Sequence, residues 1–208
     1  MILAAGESSR LGQCKALAPV LVGMPGTPGT SRTPLELLAE AGAALGGAPP
    51  LVVTGADHDA IAAAAGAGVE VARNPDWSAG RSGGVLLAAR LRPGHDLCVA
   101  PVDTPLVPAA VFAALARLWR EAGSPSRGWA APYVVSGVGP EASRAFGHPI
   151  LIGRELALRI ADRGPGAPLR TLRALADPLL GVEVAAREIL DDLDFPDDLT
   201  RLQRRSGA

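Results

Sequence analysis

Leu3-Ala4-Ala5-Gly6-Glu7-Ser8-Ser9-Arg10-Leu11-Gly12-Gln13-Cys14-Lys15 opens as a short apolar run and turns into a loop of glycine and serine that ends in cations. The apolar start reads as a strand, and the loop has the composition of a phosphate cradle. Glycine at Gly6 and Gly12 permits positive φ and close approach of the backbone to a ligand, exposed N–H groups can hold phosphate oxygens, and Arg10 and Lys15 supply positive charge. The order of glycine, lysine and Ser/Thr that makes a Walker A loop is absent. The plainer reading is a strand followed by an ordinary glycine turn with two surface cations.

Working outward, the rest of the chain alternates short β-branched or apolar runs with helical periodicity. Thr33-Pro34-Leu35-Glu36 is a capping box with proline at the first helical position, and predicts a helix to about Leu45. Leu51 to Thr54 reads as a buried strand ending at Gly55-Ala56-Asp57, followed by a helix over Ala60 to Ala65 and a strand over Val69 to Ala72. The turn Asn74-Pro75-Asp76-Trp77, a helix over Gly80 to Leu91, a strand over Asp96 to Ala100 and a helix over Pro108 to Ala122 continue the pattern. Such βαβ units, with right-handed crossovers, place the loops after the strands along one edge of a parallel sheet, where ligands bind.

Beyond Gly123 the pattern changes. Ala131 to Val135 and Pro149 to Ile152 read as strands of a β-arm outside the main sheet. Arg154 to Ala161 and Leu169 to Leu175 read as helical, Val182 to Ala185 as a last strand, and Pro196 to about Arg204 as a terminal helix. The stretch Ala16 to Ser31 holds Gly23, Pro25, Gly26, Pro28 and Gly29 and reads as a flexible excursion beside the loop. The first apolar run, Ile2 to Ala5, is shorter than a usual strand of about five or six residues, which points to a start codon assigned late.

Length and composition fit this plan. The 208 residues suit a single domain, residues 1–208. Hydrophobic residues make up 48% and aromatics only 3%, so the core must be built from Ala, Val, Leu and Ile, as when helices cover a parallel sheet. A net charge of -1 gives no footprint for nucleic acid or an anionic membrane. Cys14 and Cys98 have no metal-ligand spacing and suggest no disulfide framework, and no signal peptide or transmembrane run stands out, so the expected setting is the cytoplasm.

Four further stretches carry candidate chemistry. In Pro101-Val102-Asp103-Thr104-Pro105 a carboxylate lies just past a strand between two prolines, which suits either a metal ligand or a helix cap. The closing segment Asp191-Asp192-Leu193-Asp194-Phe195-Pro196-Asp197-Asp198 is acidic, and Asp197 and Asp198 have a simple explanation as first-turn acids favoured by the helix dipole. Asn74-Pro75-Asp76-Trp77-Ser78-Ala79-Gly80 is a turn leading into a helix, and Gly147-His148-Pro149 precedes a strand. His58 and His95 read as solvated, and Trp77, Trp119 and Trp129 as packing residues.

The opening stretch resembles the signature L-A-A-G-x-S-x-R-x-G-x-x-K of the MobA/MocA-like nucleotidyltransferases, which attach a nucleotide to the molybdenum cofactor; every specified position is filled. Asp103 falls in a segment similar to the family's P-x-D-x-P, residues 192–199 resemble D-I-D-T-P-E-D-L, the Asn74 turn resembles N-P-x-W-x-x-G, and residues 147–151 resemble the G-H-P-V-L of the MocA-type branch.

The resemblance implies a Rossmann-like three-layer α/β/α fold with a mostly parallel sheet and a small β excursion. It also implies a Mg²⁺-dependent transfer of a nucleoside monophosphate from a triphosphate to a phosphorylated acceptor, with CTP favoured over GTP and molybdopterin as the leading acceptor. A molybdoenzyme maturation partner fits the same picture. Lys15 and Arg10 would act on the phosphates, Leu3, Ala4, Ala5, Gly6, Gly12, Gly55 and Asn74 would bind the nucleotide, and Gly80, Ser82 and His148 the acceptor. Asp103 would hold the metal with Asp194 or Asp192. Gly83-Gly84 stand where the family commonly has two serines, which removes hydroxyl donors and disfavours helix. A transferase for another small phosphorylated acceptor and a catalytically silent nucleotide-binding maturation factor are the alternatives.

Overall fold

The computed structural model describes residues 1–23, 29–137, 141–164 and 166–206, with side chains up to residue 202. The elements, in chain order, are β1 Ile2–Ala4, β2 Val20–Val22, β3 Thr30–Arg32, α1 Pro34–Gly42, β4 Leu51–Thr54, α2 His58–Ala64, β5 Glu70–Arg73 and α3 Arg81–Leu91. They continue with β6 Leu97–Pro101, α4 Ala109–Glu121, β7 Trp129–Ser136, β8 Ser143–Phe146, β9 Ile150–Ile152, α5 Arg154–Leu158, β10 Leu179–Glu183 and α6 Pro196–Ser206. The principal sheet runs β10-β7-β9-β6-β1-β4-β5, with β8 added on β7. β6, β1, β4 and β5 are mutually parallel, and β9 is antiparallel to both β6 and β7.

Alternation along the strands makes the three layers. Ile2, Ala4, Val52, Cys98 and Ala100 point to one face and pack with Leu35 and Leu38 of α1 and Val111, Phe112 and Leu115 of α4. Leu3, Val53, Leu97 and Val99 point to the other and meet Val85 and Ala88 of α3 and Leu156 of α5. The capping box forms as expected: Thr33 Oγ1 accepts from the N–H of Glu36, and the Glu36 carboxylate accepts from the N–H of Thr33.

The structure corrects several expectations. β7 and β9 belong to the main sheet, because their apolar residues pair into it, and only β8 hangs outside as the partner of β7. The breaker-rich excursion carries a small antiparallel ladder, β2 with β3, since Val20 to Val22 is β-branched and apolar enough to pair before the breakers begin; residues 24–28 lie outside the described residues. The last strand starts three residues earlier than read, at Leu179, and Leu169–Leu175 is a 3-10 helix. α3 forms through Gly83-Gly84. A Cβ on Gly84 would lie 2.8 Å from Leu3 Cδ1 and 3.3 Å from Val53 Cγ1, so this glycine lets the helix settle against β1 and β4.

Candidate active site

The C-terminal ends of β1, β4, β5 and β6 all point to one edge of the sheet, and each continues into a loop that the sequence singles out. β9 runs the other way, so the residues before it, Gly147-His148-Pro149, arrive at the same edge. Direction alone therefore gathers segments from the start, middle and end of the chain.

The loop after β1 folds on itself. Leu11 and Gly12 donate N–H bonds to the Ser8 carbonyl at 3.1 and 3.2 Å, and the Lys15 N–H donates to Ser8 Oγ at 3.1 Å. Gly12 has φ of 73° as expected, but the second left-handed residue is Ser8, at φ 53°, and not Gly6. A serine held there carries backbone strain of about 1–3 kcal/mol, tolerated because its side chain and carbonyl both bind the loop. Gly6 has open space where a side chain would stand, which leaves its backbone free for a ligand. Below the loop, Leu11, Ala18, Leu193 and Leu202 form a small core that ties it to the closing segment and α6.

Lys15 Nζ is paired with Asp194 Oδ1, and Arg10 Nη1 lies 3.3 Å from Asp194 Oδ2. The lysine ammonium first, with Arg10 and Arg81 further off, holds the Asp194 carboxyl below the usual range. Arg10 also stands 5.9 Å over the ring of Phe195, the residue that replaces the family's threonine. On the facing loop, Asp103 accepts from Arg81 Nη2 at 3.0 Å, and its carbonyl accepts from the N–H of Leu193 at 2.7 Å. Partial burial, then the carboxylates of Asp103 and Asp194, push Asp192 up. Asp198 Oδ2 accepts from the N–H groups of Asp194 and Phe195, and Arg201 joins Asp191, Asp198 and the Asp192 carbonyl, so the closing segment is clasped to α6. Asp198 thus caps its helix through hydrogen bonds, beyond the dipole effect read from sequence.

A cleft of about 220 Å³ opens between these loops, lined by Leu3 to Gly6, Ser8, Lys15, Asp57, Trp77, Gly80, Arg81 and Asp103. Gly55 lies beneath it: a Cβ there would stand 2.2 Å from the Ala5 carbonyl oxygen and 2.5 Å from Trp77 Cβ, so only glycine lets the two loops meet. Asn74 does not line the cleft. It is buried, its Oδ1 accepts from the N–H of Asp76, and its Nδ2 has no partner. Gly80, at φ 136° and ψ 172°, occupies a region open essentially to glycine alone and turns the chain into α3.

A second cavity of about 470 Å³ adjoins the cleft on the β9 side, lined by Arg81, Ser82, His148, Trp129, Phe146, Arg170 and Arg173 among others. Ser82 Oγ donates to the Ala167 carbonyl. His148 is largely desolvated, which lowers its pKa and favours the neutral ring, and its Nδ1 is buried without a partner. A cavity of about 530 Å³ at the opposite edge of the sheet contains none of the residues the sequence marks; its Asp96 is already bonded to Trp119 Nε1 and to Arg154.

Two residues escape the sequence reading. Arg81 begins α3, where a cation opposes the helix dipole, and that misfit is the signal that could have found it. Arg173 carries no such mark. His58 departs from the solvated reading, because its Nδ1 meets Thr54 Oγ1 at 2.7 Å, while His95 remains exposed. Among the described residues, no group of three or more His, Cys, Asp or Glu side chains stands ready to hold a metal. The donor set still fits a hard divalent cation: Asp103, Asp192 and Asp194 offer only oxygen, Mg²⁺ needs one or two carboxylates beside phosphate oxygens and water, and Asp192, raised first by burial and then by the carboxylates of Asp103 and Asp194, has negative neighbours that a cation would offset.

A phosphate loop, converging cations and facing carboxylates at one edge of an α/β sheet define a nucleotidyltransferase enzyme. The chain belongs to the family of the MobA-like NTP transferase domain, which matches residues 1–181. No curated protein is significantly similar in sequence. Among solved structures, Rv0371c of Mycobacterium tuberculosis H37Rv superposes with a TM-score of 0.71 at 22% identity, covering 98% of this chain and 96% of that one, and it has also been solved with manganese. A nucleotidyl transferase from Methanothermobacter thermautotroptrophicus gives 0.69 at 20%, covering 99% and 95%. CMP:2-keto-3-deoxy-manno-octonic acid synthetase in complex with CTP gives 0.72 at 16%, covering 98% and 95%. No helix among the described residues is long and apolar enough to cross a membrane.

Proposed function

We propose that residues 1–208 act as one domain that transfers a nucleoside monophosphate from a triphosphate to a phosphorylated acceptor, as a molybdenum cofactor cytidylyltransferase does. An acceptor phosphate oxygen attacks the α-phosphorus, the new P–O bond forms, the α–β bridging P–O bond breaks, and pyrophosphate leaves. The observation that carries the reading is the meeting of Lys15 and Arg10 on Asp194 across the cleft from Asp103 and Arg81.

The protein's contribution is positioning and charge neutralisation. The triphosphate takes the place of Asp194 as the partner of Lys15 and Arg10. Leu3 to Gly6, Gly12, Gly55 and Asn74 form or support the nucleotide side, and Gly80, Ser82 and His148 the acceptor side. Asp103 with Asp194 or Asp192 would hold Mg²⁺, which supplies charge neutralisation on the phosphates.

CTP is favoured over GTP through the likeness of the Gly147-His148-Pro149 segment to one branch of the family, and the setting is the cytoplasm, with a molybdoenzyme as maturation partner. Transfer to a different small phosphorylated acceptor is the second reading; it draws on the Gly/Pro insertion and on Gly84, whose buried position leaves no room for a serine hydroxyl. Silence as a mere nucleotide-binding factor sits badly with the presence of Lys15 and Asp103. Pyrophosphate release over the four nucleotides, with and without molybdopterin and Mg²⁺, tests the reading. Release that needs CTP, Mg²⁺ and molybdopterin together supports it. Release with another acceptor alone moves the assignment to the second reading, and binding without any release to the third.

A further inference from the structure

The cavity beside His148 does not end there. Trp129, Ala131, Phe146 and Arg173 line both it and a further recess of about 250 Å³ that reaches Tyr133, Arg144 and Leu179. Among the described residues no Asp or Glu lines either space, whereas Arg81, Arg170, Arg173 and Arg144 do. Arg173 stands 5.5 Å over the Phe146 ring and Arg144 4.8 Å over Tyr133, with the two rings 5.3 Å apart. A guanidinium laid on an aromatic face is held in place yet keeps its edge donors for an anion. Arg81 has Asp103 as a partner; among the described residues Arg144, Arg170 and Arg173 form no ion pair.

Arg81, which also lines the cleft, and Arg173, which also lines the further recess, therefore mark two ends of the cavity, with Trp129, Phe146 and His148 on its walls. From this arrangement we infer that the acceptor taken here is an elongated organic molecule with an anionic group at each end: one lies by Arg81 and His148, a flat body lies along Trp129 and Phe146, and the second lies by Arg173, with Arg170 adding positive charge to the same cavity. Which group receives the nucleotide rests on the transferase reading above; the shape and charge of the ligand do not. Paired edge donors on a carboxylate or phosphate favour a ligand with two anionic ends over a ligand with one.

4-Carboxyphenyl phosphate, a flat ring with an anionic group at each end, is the probe, compared by calorimetry at low salt with phenyl phosphate and inorganic phosphate. 4-Carboxyphenyl phosphate should bind the wild-type chain at least about tenfold more tightly than phenyl phosphate, which has one anionic end, the scale of one charge-assisted hydrogen-bonding group. Arg170→Gln with Arg173→Gln, both at exposed positions, should erase that preference. Equal binding of the two phosphates to wild type, or a preference that survives the double variant, overturns the inference. CTP with Mg²⁺, titrated into the wild-type chain, separates the two claims. A preference for the two-ended anion without CTP binding leaves the cavity and removes the transferase reading; CTP binding without the preference does the reverse.

Discussion

The two halves of the sheet edge are built from opposite electrostatic materials. On the parallel half, around β1, β4 and β6, each cation in the cleft already faces a carboxylate: Lys15 and Arg10 face Asp194, and Arg81 faces Asp103. On the mixed half, around β7, β8 and β9, Arg144 and Arg173 stand on aromatic rings, and among the described residues no acid lines the space. A cleft of balanced charge suits a ligand that brings both signs, a triphosphate with a divalent cation. A cavity of one sign suits an anion alone. The pairings thus separate the proposed nucleotide side from the proposed acceptor side.

The severest test of this contrast removes an acid from the balanced half. A triphosphate beside Asp103 is repelled unless a cation lies between them, so Asp103→Asn should abolish metal-dependent turnover while circular dichroism shows an intact fold, and metal-free nucleotide should bind no more weakly than to wild type. Retained Mg²⁺-dependent turnover would break the comparison. In the same assay Asp194→Asn and Asp192→Asn should differ, one matching Asp103→Asn and the other staying near wild type; two silent variants would remove the closing segment from the metal site.

Lys15→Ala comes next. One donor aimed at charge that develops in the transition state is worth a rate factor of roughly 10²–10³, so single-turnover rate should fall on that scale and nucleotide affinity much less. Turnover within about threefold of wild type would show that the Asp194 pair is only a surface latch.

Legibility from sequence follows the same divide. The nucleotide side is written in consecutive residues, so the Leu3 to Lys15 stretch and the Asp103 segment could be read directly, and period-two strands with helical stretches between them gave the layers. The acceptor side is assembled from residues scattered from Arg81 to Arg173, none in a local motif. The direction of β9, which delivers His148, depends on pairing partners that no single stretch reveals. At Gly83-Gly84 the sequence shows only missing hydroxyls and poor helix formers; that Gly84 also fits closely against Leu3 is a contact with a residue far away in the sequence.

That fit supports a smaller, structural prediction. Gly84→Ala gains about 1 kcal/mol of helix propensity but overpacks against Leu3 and Val53, at a cost of about 1–3 kcal/mol. The midpoint of urea unfolding should therefore shift down; an upward shift would mean that α3 is not seated on the strands beneath the cleft.

The smallest expected effect concerns Asp192. Its folded-state pKa is raised, by partial burial and then by the neighbouring carboxylates, so the folded chain holds this proton more readily than the unfolded one. Stability then falls as pH rises through that window, and the penalty is complete at neutral pH. Asp192→Asn should raise the melting temperature slightly at pH 7, with the gain vanishing below about pH 4, where both states are protonated. A lowered melting temperature at pH 7 would place Asp192 in a stabilising pair.

The bond from Leu193 to the Asp103 carbonyl, and the pairing of Lys15 with Asp194 across 179 residues of sequence, also set an order of events at the ribosome. The phosphate loop emerges before the closing segment, and its cations wait without their carboxylate partner until that segment follows. A nascent chain can complete the parallel half of its sheet and still have no finished cleft. Competence for the proposed nucleotide chemistry needs the closing segment in place, so a chain stalled short of Asp194 would be largely folded and inactive.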